Sequence, residues 1–178
     1  MAGVEVAFGM ADSNPGSVIL LGAAATRAET SYGWIEAGTA ISGHSCDGLL
    51  HVKKFWEKPS RDVAGFLLDR GCVWNTFVMV GGAQAYLDLI QSAAPGVYEA
   101  FQSATPLETV YAGLATSDFS TVVLSAAAEK LGLLCLGDVG WSDMGDPKRV
   151  IPMLPKMCAA HQGAELWSHE AAAAAAGS

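Results

Sequence analysis

Apolar and polar positions follow two periods along this chain, and the switches between them mark out strands and helices. Residues 18–21 are a short apolar run bounded by Pro15-Gly16 and Gly22, the pattern of a buried strand. Residues 51–57 predict a second strand, ended by Pro59, which has no N–H to give to a ladder. Residues 73–80, rich in aromatic and β-branched side chains, predict a third, and residues 133–136 a fourth. At the start of the chain Val4, Phe8 and Met10 lie among alanines, and their spacing leaves helix and strand both open.

Between these runs the period lengthens. Ser60 is a candidate N-cap for a helix carrying Val63, Phe66 and Leu67 and stopped at Arg70-Gly71. Residues 83–92 predict a helix with Tyr86, Leu87 and Ile90 on one face, ended by Pro95-Gly96. Tyr98 and Phe101 suggest another short one. Residues 120–130 show Val123, Leu124 and Ala127 at helical spacing, with Gly132 closing the run. Pro147 suits the first turn of a helix carrying Val150, Ile151 and Leu154. Strand and helix alternate, so the fold class is α/β with a largely buried sheet. Residues 1–160 are read as one domain. Residues 161–178, with their Ala-rich end, read as a low-complexity tail or a cloning remnant.

Composition narrows the function classes. The formal charge of −8, with ten Lys plus Arg, argues against a nucleic-acid surface, which needs clustered cations. No window reaches the roughly 18 uninterrupted apolar residues of a membrane span, and no secretory leader is seen, so a cytoplasmic protein is expected. Cys46, Cys72, Cys135 and Cys158 are scattered, as in reduced thiols rather than a zinc site or a disulfide framework.

Four segments carry candidate chemistry. Glu57-Lys58-Pro59 ends a strand, and Pro59 biases Lys58 to a turn or extended conformation. There an ammonium is a point charge for a phosphate and a carboxylate an acceptor for hydroxyls; a solvated surface pair is the alternative. Asn75 lies inside an apolar strand, so it is either an edge residue or a ligand contact. Asp143, in Trp141-Ser142-Asp143-Met144-Gly145, suits either a hard oxygen ligand for Mg²⁺ or an Asx-turn ahead of Pro147. Tyr32-Gly33 precedes Trp34-Ile35, and Gly33 permits close backbone approach because it lacks a side chain.

In this order, from about residue 18 to about residue 150, these segments resemble the sugar-1-phosphate nucleotidyltransferases, most closely their mannose-1-phosphate guanylyltransferase branch. The resemblance implies a mixed sheet flanked by helices, a Rossmann-like nucleotidyltransferase fold. It implies transfer of a nucleotidyl group from an NTP, GTP in that branch, to mannose-1-phosphate with release of pyrophosphate. By the same resemblance Glu57 holds the sugar, Lys58 its phosphate, Asn75 the sugar, and the Tyr32-Gly33 backbone meets it. Asp143 then binds the catalytic Mg²⁺, with Lys58 and Asp143 as the catalytic pair. The chain departs from the family at Ser31, where Gly is normal, and at Thr76-Phe77, where a small residue and Gly are common.

Nothing before residue 18 resembles the family's Gly-rich triphosphate loop, so the chain is expected to supply only the sugar-phosphate half-site. An NTP would bind if a partner completes the site. The competing reading is a non-catalytic, self-assembling binding module derived from that fold. A sheet cut in mid-fold exposes an edge, so a homodimer or higher oligomer is expected.

Overall fold

The computed structural model describes residues 2–41, 48–145 and 147–151. The chain divides into two compact units, Met1–Trp141 and Ser142–Ser178, taken separately below. The expected boundary at 160, the tail 161–178 and Leu154 lie outside the described residues.

The first unit holds strands β1 (Val18–Ala24), β2 (Gly33–Ala40), β3 (Leu49–Glu57), β4 (Val73–Val80) and β5 (Leu131–Cys135). Its helices are α1 (Ala2–Ser13), α2 (Arg61–Asp69), α3 (Ala83–Ala93), α4 (Pro95–Gln102) and α5 (Leu107–Gly113). The α/β class that the pattern implied, and the mixed sheet with flanking helices that the resemblance implied, are present. Its strands run in the order β1-β4-β2-β3-β5, and β5 returns to pair with β1 in parallel. Antiparallel pairing of Leu49, Leu50 and His51 with Leu134, Leu133 and Gly132 closes the ring. Every strand therefore has a neighbour on both sides. Among the described residues the open edge from which an oligomer was argued is absent, because β5 occupies it.

Alternation on β1 shows how the sheet is covered. Val18 and Leu20 join Ile35, Phe55, Leu89 and Leu124 under α3 and the 120–130 segment. Ile19 and Leu21 face the other way, against Ala7 and Met10 of α1. The ambiguous N-terminal residues are thus helical, with Ala7, Met10 and Ala11 buried and Phe8 exposed. On that same face, farther along, α2 lays Ala64 and Leu67 over Tyr32, Trp34 and Trp74. Ser60 caps α2 by accepting from the Val63 N–H (3.4 Å). Gly71, at φ +71°, ends it in the left-handed region that glycine tolerates.

Three expectations need correction. Helix α3 buries Ala85 and Leu89, with Tyr86 and Ile90 packed beside them, while Leu87 is exposed; the inward stripe is rotated from the one expected. Residues 120–130 are not one helix but a wide π-helical turn (Ser120–Leu124) followed by a 3₁₀ turn (Ala128–Lys130). Gly132 does not close that segment: it lies within β5, where a Cβ would meet Leu49 and Ile19 at 3.1 and 3.3 Å. Among the described residues no helix is long and apolar enough to cross a membrane.

Candidate functional site

Three strand ends place the expected residues together, and the register explains how. Gly33 pairs with Glu57, while Trp34 pairs with both Trp56 and Trp74. On each strand an aromatic residue therefore adjoins a small or polar one: Trp34 beside Gly33, Trp56 beside Glu57, Trp74 beside Asn75. Successive strand residues face opposite ways, so the tryptophans share one face and Gly33, Glu57 and Asn75 the other. A Cβ added at Gly33 would lie 3.2 Å from Asn75 Cβ, 3.2 Å from Glu57 Oε2 and 2.9 Å from Phe55 Cζ. Only glycine leaves the space between the two polar side chains open.

That space is bordered by polar atoms without partners. Asn75 is fully buried, and its Nδ2 makes no hydrogen bond. Glu57 Oε2 is likewise buried and unpartnered. Buried polar groups are nearly always satisfied, so these two orphans flanking a glycine are a candidate place for a ligand or a water. Burial pushes the Glu57 carboxyl above the usual glutamate range; Lys58 pulls it down, Asp118 adds like-charge repulsion and the Ser120 side chain favours the ionised form.

Lys58 occupies a special position. Its φ of +43° is uncommon for a residue with a side chain, and its N–H donates to the Tyr32 carbonyl (3.2 Å). This bond ties the strand end to Tyr32 at the moment the chain leaves β3. The ammonium stands 3.6 Å from Glu57 Oε1 on a side chain that is 68% exposed, open to an anion arriving from solvent. The Tyr32 backbone belongs to this site, but its ring does not. The ring is buried on the aromatic face, edge-on to Trp74 (5.1 Å) and Trp141 (5.2 Å), with the Arg27 guanidinium over both Tyr32 and Trp74.

Asp143 lies in the second unit. Its Oδ1 accepts from the Gly145 N–H (3.0 Å) and its Oδ2 faces Arg149 Nη1 at 3.4 Å. This is an Asx-turn held by a cation just into α6 (Pro147–Val150). Among the described residues no group of three or more His, Cys, Asp or Glu is placed to hold a metal ion. One carboxylate, already neutralised by a guanidinium, does not by itself fit Mg²⁺, which demands octahedral oxygen ligation.

Sequence reasoning missed the far wall of the site. Ser120 is 3% exposed and Asp118 caps the π-helical turn by accepting from the Thr121 N–H (2.8 Å), and both act on Glu57. The sequence offered only a buried serine inside an apolar run as a cue. Phe77, where the chain departs from the family pattern, has φ +61° and is 58% exposed.

Known proteins match this chain in sequence and in fold. The family model described as "Nucleotidyl transferase" matches residues 6–159. Over 146 residues, 75% of this chain and 30% of the relative, the chain is 30% identical to mannose-1-phosphate guanylyltransferase 2 of Escherichia coli O157:H7. It is 28% identical to the xanthan biosynthesis protein XanB of Xanthomonas campestris over 81% of this chain and 31% of that one. A crystal structure described as mannose-1-phosphate geranyltransferase from Thermus thermophilus superposes with a TM-score of 0.63 at 27% identity, covering 75% of this chain and 38% of that one. The chain spans about a third of the length of the curated relatives it matches. Family model, relatives and fold agree: the chain belongs to the sugar-1-phosphate nucleotidyltransferase family.

Proposed function

We propose that these residues form the acceptor side of a nucleotidyl transfer to a sugar-1-phosphate, with mannose-1-phosphate as acceptor and GTP as donor. The observation that carries the reading is the pair of buried, unpartnered atoms, Glu57 Oε2 and Asn75 Nδ2, on either side of Gly33. A sugar hydroxyl satisfies both at once, accepting from the amide and donating to the carboxylate. Lys58, beside Glu57 and open to solvent, meets the phosphate.

In the reaction a phosphate oxygen of the sugar-1-phosphate attacks the α-phosphorus of the triphosphate. A new P–O bond forms, the α–β bridge breaks and pyrophosphate leaves. Positioning and charge neutralisation suffice, and no covalent nucleophile is needed. Glu57 and Asn75 fix the sugar, and Lys58 offsets phosphate charge on the approaching nucleophile. We place the triphosphate site outside these 178 residues, since no segment here resembles its Gly-rich loop. Asp143 would join a Mg²⁺ site only with ligands from elsewhere and with Arg149 displaced, and no step of the proposal runs through the ion.

The same reading holds the protein to be cytoplasmic and oligomeric. Exposed Phe8 and Phe66, on two helices covering one face, support self-association. A monomer in a sizing column at micromolar concentration would exclude that part.

Calorimetric titration tests the site. The chain should bind mannose-1-phosphate, and Lys58→Ala should weaken that binding about tenfold while leaving weak binding of unphosphorylated mannose unchanged. Absence of heat with mannose-1-phosphate and glucose-1-phosphate would overturn the reading and leave a non-catalytic module in its place.

A further inference from the structure

We propose that Thr76 is a positioning residue: it holds the β4 bulge so that the Asn75 amide presents its N–H₂, and not its oxygen, to the opening beside Glu57. This rests on the sugar-site reading for its consequence in binding, but its geometric part stands by itself.

Between Leu20 and Gly22 strand β1 advances two residues while β4, from Met79 to Asn75, advances four. Thr76, Phe77 and Val78 are thus looped out of the ladder, and side chains must do the holding. The Thr76 hydroxyl donates to the Leu21 carbonyl (2.6 Å) and accepts from the Val78 N–H (3.3 Å), in a side chain only 6% exposed. One small group therefore ties the bulge both to the neighbouring strand and to itself. Within that tether Phe77 is kept at φ +61°, and its N–H reaches Asn75 Oδ1 at 3.2 Å.

This last bond decides the chemistry. A backbone N–H only donates, so the amide atom it meets must be the oxygen, and the N–H₂ is turned the other way. There it stays, fully buried and unpaired. The opening then offers a donor from Asn75 and an acceptor from Glu57. Rotating the amide by half a turn would set two acceptors side by side and leave the Phe77 N–H unsatisfied. Phe77 resists the left-handed region, so without Thr76 the bulge relaxes and the Asn75 amide loses its anchor. A hydroxyl at residue 76 is needed for this, and the bulk of Phe77 is not.

Hydrogen exchange and binding, read on the full chain, test the proposal. In the wild type the Phe77 N–H should be protected by its bond to Asn75 Oδ1. Thr76→Val should lower that protection at least tenfold while β2 amides keep theirs, and Thr76→Ser, which keeps the hydroxyl, should restore it. Thr76→Val should also weaken mannose-1-phosphate about tenfold, the worth of one hydrogen bond. It should leave unchanged the binding of the monodeoxy analogue that lacks the hydroxyl facing Asn75. A Phe77 amide still protected in Thr76→Val overturns the proposal, and so does equal weakening of every analogue. If the wild type binds no sugar phosphate yet Thr76→Val unprotects Phe77, the acceptor-site reading falls and the hold of Thr76 on Asn75 stands.

Discussion

The two faces of the β2–β3–β4 patch are built from neighbouring residues and follow opposite rules. On one face Trp34, Trp74, Tyr32 and Trp141 pack edge to edge, with centroids 5.1 to 6.5 Å apart, and Trp34 Nε1 is satisfied by the Glu29 carbonyl at 2.8 Å. On the other, one residue along each strand, a glycine separates a buried carboxylate from a buried amide, each with an unpaired atom. The aromatic face is not fully satisfied either: Trp56 and Trp74 each bury an indole N–H without a partner. A neutral indole N–H is a far smaller desolvation cost than a carboxylate. The lesson is a division of labour at a spacing of one residue. Packing energy on the tryptophan face holds strands whose other face is left polar and incomplete, the face proposed above for a hydroxylated ligand.

The largest effect should come from breaking the stabilising face. Trp74→Ala removes a ring shared by Tyr32, Trp34 and Trp141 and should cost about 3–5 kcal/mol in denaturant unfolding, a large part of a domain's stability. Gly33→Ala strikes the other face. The new methyl would sit 2.9 to 3.2 Å from Phe55, Asn75 and Glu57, so about 1–3 kcal/mol of stability and nearly all sugar-phosphate binding should be lost. Unchanged binding in Gly33→Ala would show that the ligand does not lie there.

Glu57→Gln should act in the opposite direction on stability. Burial raises the Glu57 carboxyl, so the folded state holds its proton more tightly than the unfolded chain. Stability contributed by the neutral form is present below the ordinary glutamate range and is lost as pH rises through the folded value. Glu57→Gln should therefore be more stable than wild type at neutral pH, with the gap closing by about pH 4 in pH-dependent melting. The smallest effect is at Phe77. Phe77→Gly relieves a left-handed backbone while giving up a mostly exposed ring, and should raise stability by up to about 1 kcal/mol.

Much of this was legible in the chain. The β4 bounds, the Ser60 cap and the Gly71 stop follow from local chemistry, and structure agrees because tertiary packing has no reason to override them. The grouping of Glu57, Asn75 and Gly33 followed from the family resemblance that the order of the segments carries. Its geometry did not, because register decides which residues share a face and register is a long-range property. The β4 bulge left no trace beyond Thr76-Phe77 departing from the family pattern. The π-helical turn that brings Ser120 to Glu57 reads as an ordinary helix, since both bury Val123 and Leu124. The closing of β5 onto β3 was also hidden: residues 133–136 predict a strand that starts two residues after β5 does, and name no partner.

The most direct test of the account compares the unfolding free energy of wild type and Glu57→Gln at pH 7, each with and without mannose-1-phosphate at about 100 times the wild-type Kd. The account predicts that ligand adds about 2.7 kcal/mol to the wild type and close to nothing to Glu57→Gln, while Glu57→Gln without ligand is the more stable of the two. A variant that is less stable without ligand and still gains the full increment would contradict the claim that the Glu57 carboxylate, with its buried and unpartnered Oε2, is there to hold the sugar.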